Sequence, residues 1–347
     1  MMTILRRRGF VLAASLSLSV MLGTGAATAQ EVKWTYLSIL APTHPMVAPV
    51  VEAFERVKTR TGGKFVIQTS RYTETPHKPQ DGMSVLRDGL ADMSEWYAGY
   101  VTNTHPLLAA AELPYLPPKF VDTAAGIAAF KRGWEAPTVA AALTATMDKF
   151  KSKIAVRTYL EPIHAWTTTK IEKPYDLGGR KMRANTPENG DMINAVGGVS
   201  QFMPITDVYP AAQRNVISGL FTSVNAVIST KLDEVTKFGY VANTQWVSGG
   251  YLVAKGSLAK LSPEHRKVFD EEMAATEKYL LEFVPKSDAQ GMEAMKAKGI
   301  TLTTVSQEDY ARLRKIAEEK VWTAWKKRAG PDADKVLAEV IAAIGPL

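Results

Sequence analysis

The apolar positions along the chain switch repeatedly between a two-residue and a three-to-four-residue period. Residues 33–40 (KWTYLSIL) place aromatic and β-branched side chains at alternate positions, which predicts a strand. After the break Ala41-Pro42-Thr43-His44-Pro45, residues 46–60 repeat Val47, Val50, Val51, Phe54 and Val57 at helical spacing, and Gly62-Gly63 ends the helix. A strand over 64–69, a helix over 82–90 and a short strand from Ala91 complete a βαβαβ pattern. That pattern predicts a parallel α/β sheet. Prolines 114, 117 and 118 exclude a helix in the next connection, and helices are expected over 124–132 and 137–150.

Strands are expected over 153–159 and 165–169. A second α/β unit follows, with strands at 181–184, 201–204 and 220–223 and helices at 188–196 and 207–215. Two such blocks in one chain predict two similar lobes. The C-terminal third reads as helical. Ser262 with Pro263 behind it is an N-cap signature for a helix running to about Phe283. Ser306 and Asp309 form a capping box ahead of a helix over 310–327.

The N-terminus carries a different signal. Arg6, Arg7 and Arg8 precede an apolar run from Phe10 to Leu22, and a small-residue stretch ends at Ala27-Thr28-Ala29. These are the three regions of a cleavable secretory signal over 1–29, with a run too short for a bilayer span. Arg7-Arg8-Gly9-Phe10-Val11 also fits a twin-arginine pattern, so two export routes stay open. Cleavage leaves Gln30 or Glu31 first and places the mature protein in the periplasm. The mature chain has no further apolar run of membrane length. Removing three arginines and no acid from a net charge of +7 leaves +4, spread along the chain. No basic run interleaved with aromatics is present, so nucleic acid is not an expected partner. The chain has no cysteine, which excludes thiolate metal sites and thiol nucleophiles.

A catalytic constellation is also missing from the sequence. His44, His77, His105, His164 and His265 are too far apart for a helical metal pair. No G-x-S-x-G elbow, Walker-A lysine loop or G-x-G-x-x-G spacing occurs. Neither catalysis, a metal nor a cofactor is expected.

From Asp176 to Asn185 the chain reads DLGGRKMRAN. This resembles the D-L-x-G-x-K-I-R-V segment of the substrate-binding proteins of TRAP (tripartite ATP-independent periplasmic) transporters. Further resemblances lie in the same order: APTHP at 41–45, LRDGLADM at 86–93, MPITDVYPAAQ at 203–213 and KGSLAKLSP at 255–263. Together they cover residues 32–320. The resemblance implies an α/β, two-lobed periplasmic-binding-protein-like fold with a hinge, a ligand cleft and long C-terminal helices. The expected division is 30–160 with about 249–285 as one lobe, and about 161–248 with 286–347 as the other. The expected partners are a small organic acid and the membrane permease subunits of the transporter. The expected state is a monomer.

The resemblance also implies that Arg183 clamps the ligand carboxylate. A planar, permanently charged guanidinium suits a carboxylate's two oxygens. His164 stands where many relatives carry a second arginine, which weakens a second ionic contact. Thr222 replaces an amide and Ile205 a wall residue, and both changes argue against a polyhydroxy sugar acid. Trp96, Tyr97, Trp166, Phe221 and Trp246 are available as cleft walls. That set favours a compact or aromatic monocarboxylate held by one salt bridge and apolar rings. Alternative readings are a periplasmic α/β enzyme acting on a carboxylic acid, or a receptor presenting its ligand to a membrane sensor.

Overall fold

In the computed structural model, residues 31–171 and 173–346 are described. The expected leader over 1–29 and the expected first mature residue, if Gln30, lie outside them. The order begins β1 (Val32–Ser38), α1 (Ala48–Arg60), β2 (Phe65–Arg71), α2 (Gly82–Arg87) and β3 (Met93–Tyr97). It continues with α3 (Thr123–Trp134), α4 (Pro137–Lys149), β4 (Ser152–Tyr159), β5 (Ile163–Thr167), β6 (Lys181–Ala184), α5 (Pro187–Ala195) and β7 (Val199–Phe202). Next come α6 (Val208–Gln213), β8 (Gly219–Thr222), α7 (Val224–Ser229), β9 (Phe238–Gln245), β10 (Ser248–Ala254) and α8 (Lys255–Ala259). The chain ends with α9 (Pro263–Ala297), β11 (Thr301–Thr304), α10 (Gln307–Ile316), α11 (Thr323–Ala329) and α12 (Ala333–Ile344).

These strands form two sheets, each the centre of one lobe. The first has the order β2-β1-β3-β10-β4 and the second β11-β9-β5-β8-β6-β7. The βαβαβ pattern at the start forms the expected parallel trio, with β1 between β2 and β3. Helix α1 covers it by burying Val50, Ala53, Phe54 and Val57, the apolar stripe read from the sequence. The whole sheets are mixed rather than parallel. β10 runs antiparallel to both β3 and β4, and β5 runs antiparallel to both β8 and β9. Strands β9 and β10 are not in the sequence reading. β10 is buried along its whole length, so it lacks the alternation that marks a half-exposed strand.

The chain passes between the sheets at 160–162, joining β4 to β5, and at 246–247, joining β9 to β10. Helix α9 makes a third link. It packs on α1 and β4 of the first lobe and on α7 of the second. Its 35 residues span roughly 50 Å at about 1.5 Å each. Ser262 caps it by accepting from the His265 backbone N–H at 3.2 Å. Arg56 and Arg60 of α1 hold Glu272 at 2.7 and 2.8 Å. The sequence predicts an end near Phe283, ahead of Pro285; the helix instead continues through Pro285 to Ala297. Proline removes one backbone donor and crowds the preceding turn. Burial of Val284 before the proline and of Ser287, Asp288, Gly291 and Met295 after it holds the helix together there.

The C-terminal segment departs from the expected division of the lobes. β11 does extend the second sheet beside β9. The final helix α12 instead packs on α3 and α4 of the first lobe. Arg132 on α3 donates to the carbonyls of Ala343 and Ile344 at its end. The predicted helix over 310–327 is found as α10, a π-helical turn over Ala317–Trp322 and α11, wound without interruption.

Trp246, at the second link, lies flat against α3. A Cβ built on Gly126 falls 1.9 Å from Trp246 Cζ2 and 2.1 Å from Cη2, so only glycine allows this approach. Gly126→Ala is therefore expected to displace a buried indole and cost about 1–3 kcal/mol by overpacking. Urea unfolding of the variant checks this, and an unchanged midpoint counts against the packing described.

Candidate ligand-binding site

A cavity of about 640 Å³, part of it open to solvent, lies between the two sheets. It sits beyond the C-terminal ends of β1, β3, β6 and β8, where α/β folds hold ligands. The first lobe contributes Leu40, His44, Tyr97, Gly99 and Tyr100 to its wall. The second contributes Arg183, Asn185, Thr186, Ile205, Thr222, Ser223 and Ala226. The two links supply Leu160, Glu161 and Val247, and β5 adds Ile163. The surface that the wall presents is mostly apolar, with polar side chains set into it.

Arg183 is the strongest charge in that wall. It lies on β6 between β8 and β7, opposite Leu220 and Gln201, and is only 3% exposed. Its Nε donates to the Met203 carbonyl and its Nη1 to the Phe221 carbonyl, each at 3.0 Å. Backbone beyond β7 and backbone within β8 thus grip the guanidinium from both sides. Nη2 has no hydrogen-bond partner, and no carboxylate pairs with the group, among the described residues. Burial lowers its pKa to about 10, an effect that the neighbouring Tyr100 offsets in part. At neutral pH it remains a cation, desolvated and without a counter-charge.

His44 follows β1, within the 41–45 segment. Its Nδ1 accepts from the Met46 backbone N–H at 3.1 Å, and its Nε2 is buried with no partner. Burial lowers its pKa to about 4, which keeps the ring neutral. Glu161, on the first link, accepts from Asn225 Nδ2 at 2.5 Å. The same nitrogen lies 2.8 Å from Ser287 Oγ, so α7 and α9 meet the link at this point. Burial raises the Glu161 pKa to about 7. Behind the wall, Glu95 accepts from the Ile39 and Leu40 backbone N–H groups at 2.6 and 3.1 Å and from the Tyr97 hydroxyl at 2.5 Å. Burial raises its pKa, and these donors oppose the rise. It ties the end of β1 to Tyr97, whose ring meets Tyr100 edge-on at 5.7 Å.

The structure brings Arg183, Tyr97, Ile205 and Thr222 together on one cavity wall or another. It sets the other named residues behind the wall. His164, at 0% exposure, packs edge-on against Trp166, and its Nδ1 lies 3.4 Å from the Asn243 N–H on β9. It is not part of the cavity wall. Trp96 precedes the cavity residue Tyr97 on β3, so strand alternation turns it to the opposite face. Phe221 likewise precedes Thr222 on β8 and serves the site through its carbonyl. Trp166 donates its Nε1–H to the Thr222 carbonyl at 3.0 Å, fixing that strand end. Trp246 is taken up by Gly126. The sequence reading missed His44, Glu161, Asn185 and Tyr100. For His44 a signal was present: a histidine between two prolines just past a strand's C-terminal end.

Among the described residues, no group of three or more His, Asp or Glu is arranged to hold a metal ion. No helix there is long and apolar enough to cross a membrane.

His164 gives the site region a pH signature. Burial lowers its pKa from 6.5 to about 3. In the unfolded chain it gains a proton as pH falls below 6.5, and in the folded chain it stays neutral. Stability is therefore lost as pH falls from about 6.5 towards 3, by up to about 1.4 kcal/mol per unit. Melting temperatures of wild type and His164→Gln across that window are expected to diverge, with the variant showing the shallower acid slope. Parallel slopes would contradict a neutral buried imidazole.

Residues 37–328 match the family described as bacterial extracellular solute-binding protein, family 7. The C4-dicarboxylate-binding periplasmic protein DctP of Rhodobacter capsulatus is 28% identical over 181 residues, a match spanning 51% of each chain. A marine metagenome TRAP solute-binding protein, specific for aromatic acids and crystallised with 3-hydroxybenzoate, superposes with a TM-score of 0.78 at 24% identity. That superposition covers 91% of this chain and 98% of the other. An extracytoplasmic solute receptor of Bordetella pertussis that binds pyroglutamic acid gives the same TM-score at 18% identity, covering 89% and 99%. Two mixed sheets flanking a cleft, and a sequence match over most of the described chain, agree: the protein belongs to the family 7 extracellular solute-binding proteins, the substrate-binding proteins of TRAP transporters.

Proposed function

We propose that this chain is a periplasmic receptor that captures a small monocarboxylic acid, aromatic or otherwise compact, and delivers it to TRAP permease subunits in the membrane. One observation carries the reading: Arg183 is a buried guanidinium in a cavity wall with no acidic partner among the described residues. A desolvated charge of this kind is costly until an anion neutralises it. The two carbonyl contacts fix its orientation and leave Nη2 for the ligand. The cavity's apolar wall suits a ring or short carbon skeleton.

The chemistry favours binding over turnover. The Glu161 carboxyl is engaged by Asn225, and His44 Nδ1 is engaged by a backbone N–H. Neither is paired with a nucleophile. Aromatic acids and pyroglutamate in structural relatives support the substrate class. Export follows from the 1–29 pattern, and N-terminal sequencing of protein from its host is expected to read from Gln30 or Glu31. An intact Met1 would remove the periplasmic part of the proposal.

A ligand that binds only the folded protein adds RT ln(1 + [L]/Kd), about 4.1 kcal/mol at a thousandfold excess over Kd. The true acid should therefore raise the melting temperature clearly. Arg183→Ala removes the partner of a desolvated carboxylate, at a cost of about 2–5 kcal/mol. At ~1.4 kcal/mol per decade this weakens Kd roughly thirtyfold to several-thousandfold. Arg183→Lys is expected to recover only part of the loss, because an ammonium lacks the planar fork. Calorimetric titration measures all three proteins. A folded Arg183→Ala variant that binds within about threefold of wild type places the clamp elsewhere.

A further inference from the structure

We infer that His44 is a specificity residue: its neutral Nε2–H donates to a hydroxyl or carbonyl oxygen on the acid whose carboxylate Arg183 holds. The inference rests on the carboxylate reading of Arg183 and adds a second requirement to the ligand. The imidazole is 3% exposed and lines the cavity. Its Nδ1 accepts from the Met46 backbone N–H, so in the neutral ring the proton resides on Nε2. That Nε2 is buried without a partner among the described residues. A buried donor left unpaired is costly, and an oxygen acceptor on the ligand satisfies it.

The placement gives this contact its meaning. Arg183 belongs to β6 in the second lobe, whereas His44 follows β1 in the first. An acid that meets both is held from both sides of the cleft. An uncharged acceptor suits this donor. A second carboxylate would be desolvated in a wall that offers it no second permanent cation. The favoured ligands are therefore hydroxy- or oxo-substituted monocarboxylates, ahead of unsubstituted acids and of dicarboxylates.

Calorimetric titration with benzoate, 3-hydroxybenzoate, 4-hydroxybenzoate, isophthalate, cyclopentanecarboxylate and pyroglutamate tests this. In wild type, at least one oxygenated acid should bind tenfold or more tighter than its unsubstituted partner, and isophthalate should bind more weakly than that acid. His44→Phe should reduce the preference to within threefold. His44→Gln, which keeps a donor near the Nε2 position, should retain part of it. Should His44→Phe fail to fold, nitrogen NMR of wild type decides. The His44 Nε2–H resonance is expected to shift with the oxygenated acid and not with its partner. A preference that survives in His44→Phe, an unmoved Nε2–H resonance, or acids that bind wild type without any such preference overturns the role of His44 and leaves the carboxylate reading standing. If none of the six acids binds wild type, both fall.

Discussion

A single buried cation sets the terms for this protein. The Arg183 guanidinium is held by the carbonyls of Met203 and Phe221, and neither supplies a negative charge. Neutral dipoles orient the group, and burial lowers its pKa only to about 10, Tyr100 offsetting part of the fall, so it stays a cation at neutral pH. Full compensation requires an anion, and the open side of the group faces the cavity. The second sheet can be understood as the frame for this arrangement. β6 carries the side chain, β8 supplies one carbonyl, and the segment after β7 supplies the other.

Around that cation the fold distributes neutral polar groups and apolar surface. Tyr97 is tied to Glu95, which also gathers the backbone N–H groups of Ile39 and Leu40. One buried carboxyl thus shapes the first lobe's side of the cavity without entering its wall. His44 and Glu161 present polar atoms from the first lobe and from the link. A site with one unpaired cation and few polar contacts depends on shape and a small number of hydrogen bonds for selectivity, since an apolar pocket alone discriminates weakly.

The two links and α9 connect the lobes that share this cavity. Asn225 of α7 joins Glu161 of the first link to Ser287 of α9. Thr123 at the start of α3 donates to Asp288, the next residue on α9, at 2.5 Å. Three segments that cross between the lobes or flank the crossing are therefore joined by short polar contacts beside the ligand space. This same stretch of α9 contains Pro285.

Local sequence determined a good deal. Alternation and helical periodicity placed β1, α1, β2 and α2, which bury one face more than the other, and the short β3 followed from the βαβ order although it is buried almost throughout. Caps such as Ser262 and Ser306 fixed helix starts for the same local reason. The DLGGRKMRAN segment pointed to Arg183 and to the family. Tertiary structure alone decided the rest. β10 is buried on both faces and so shows no period, and its antiparallel insertion between β3 and β4 depends on a partner distant in the chain. The continuation of α9 through Pro285 depends on packing against both lobes, which outweighs a local helix-breaking preference. The position of α12 on the first lobe likewise follows from long-range contacts with α3 and α4. His164 and His44 show the limit most directly. Both are isolated histidines in the sequence, and both keep a buried Nε2 without a partner among the described residues, yet strand packing encloses one against Trp166 and Asn243, while the turn after β1 sets the other at the cavity. Residue type supplies the chemistry, but whether an atom meets a ligand depends on whether the folded chain places it at the cavity.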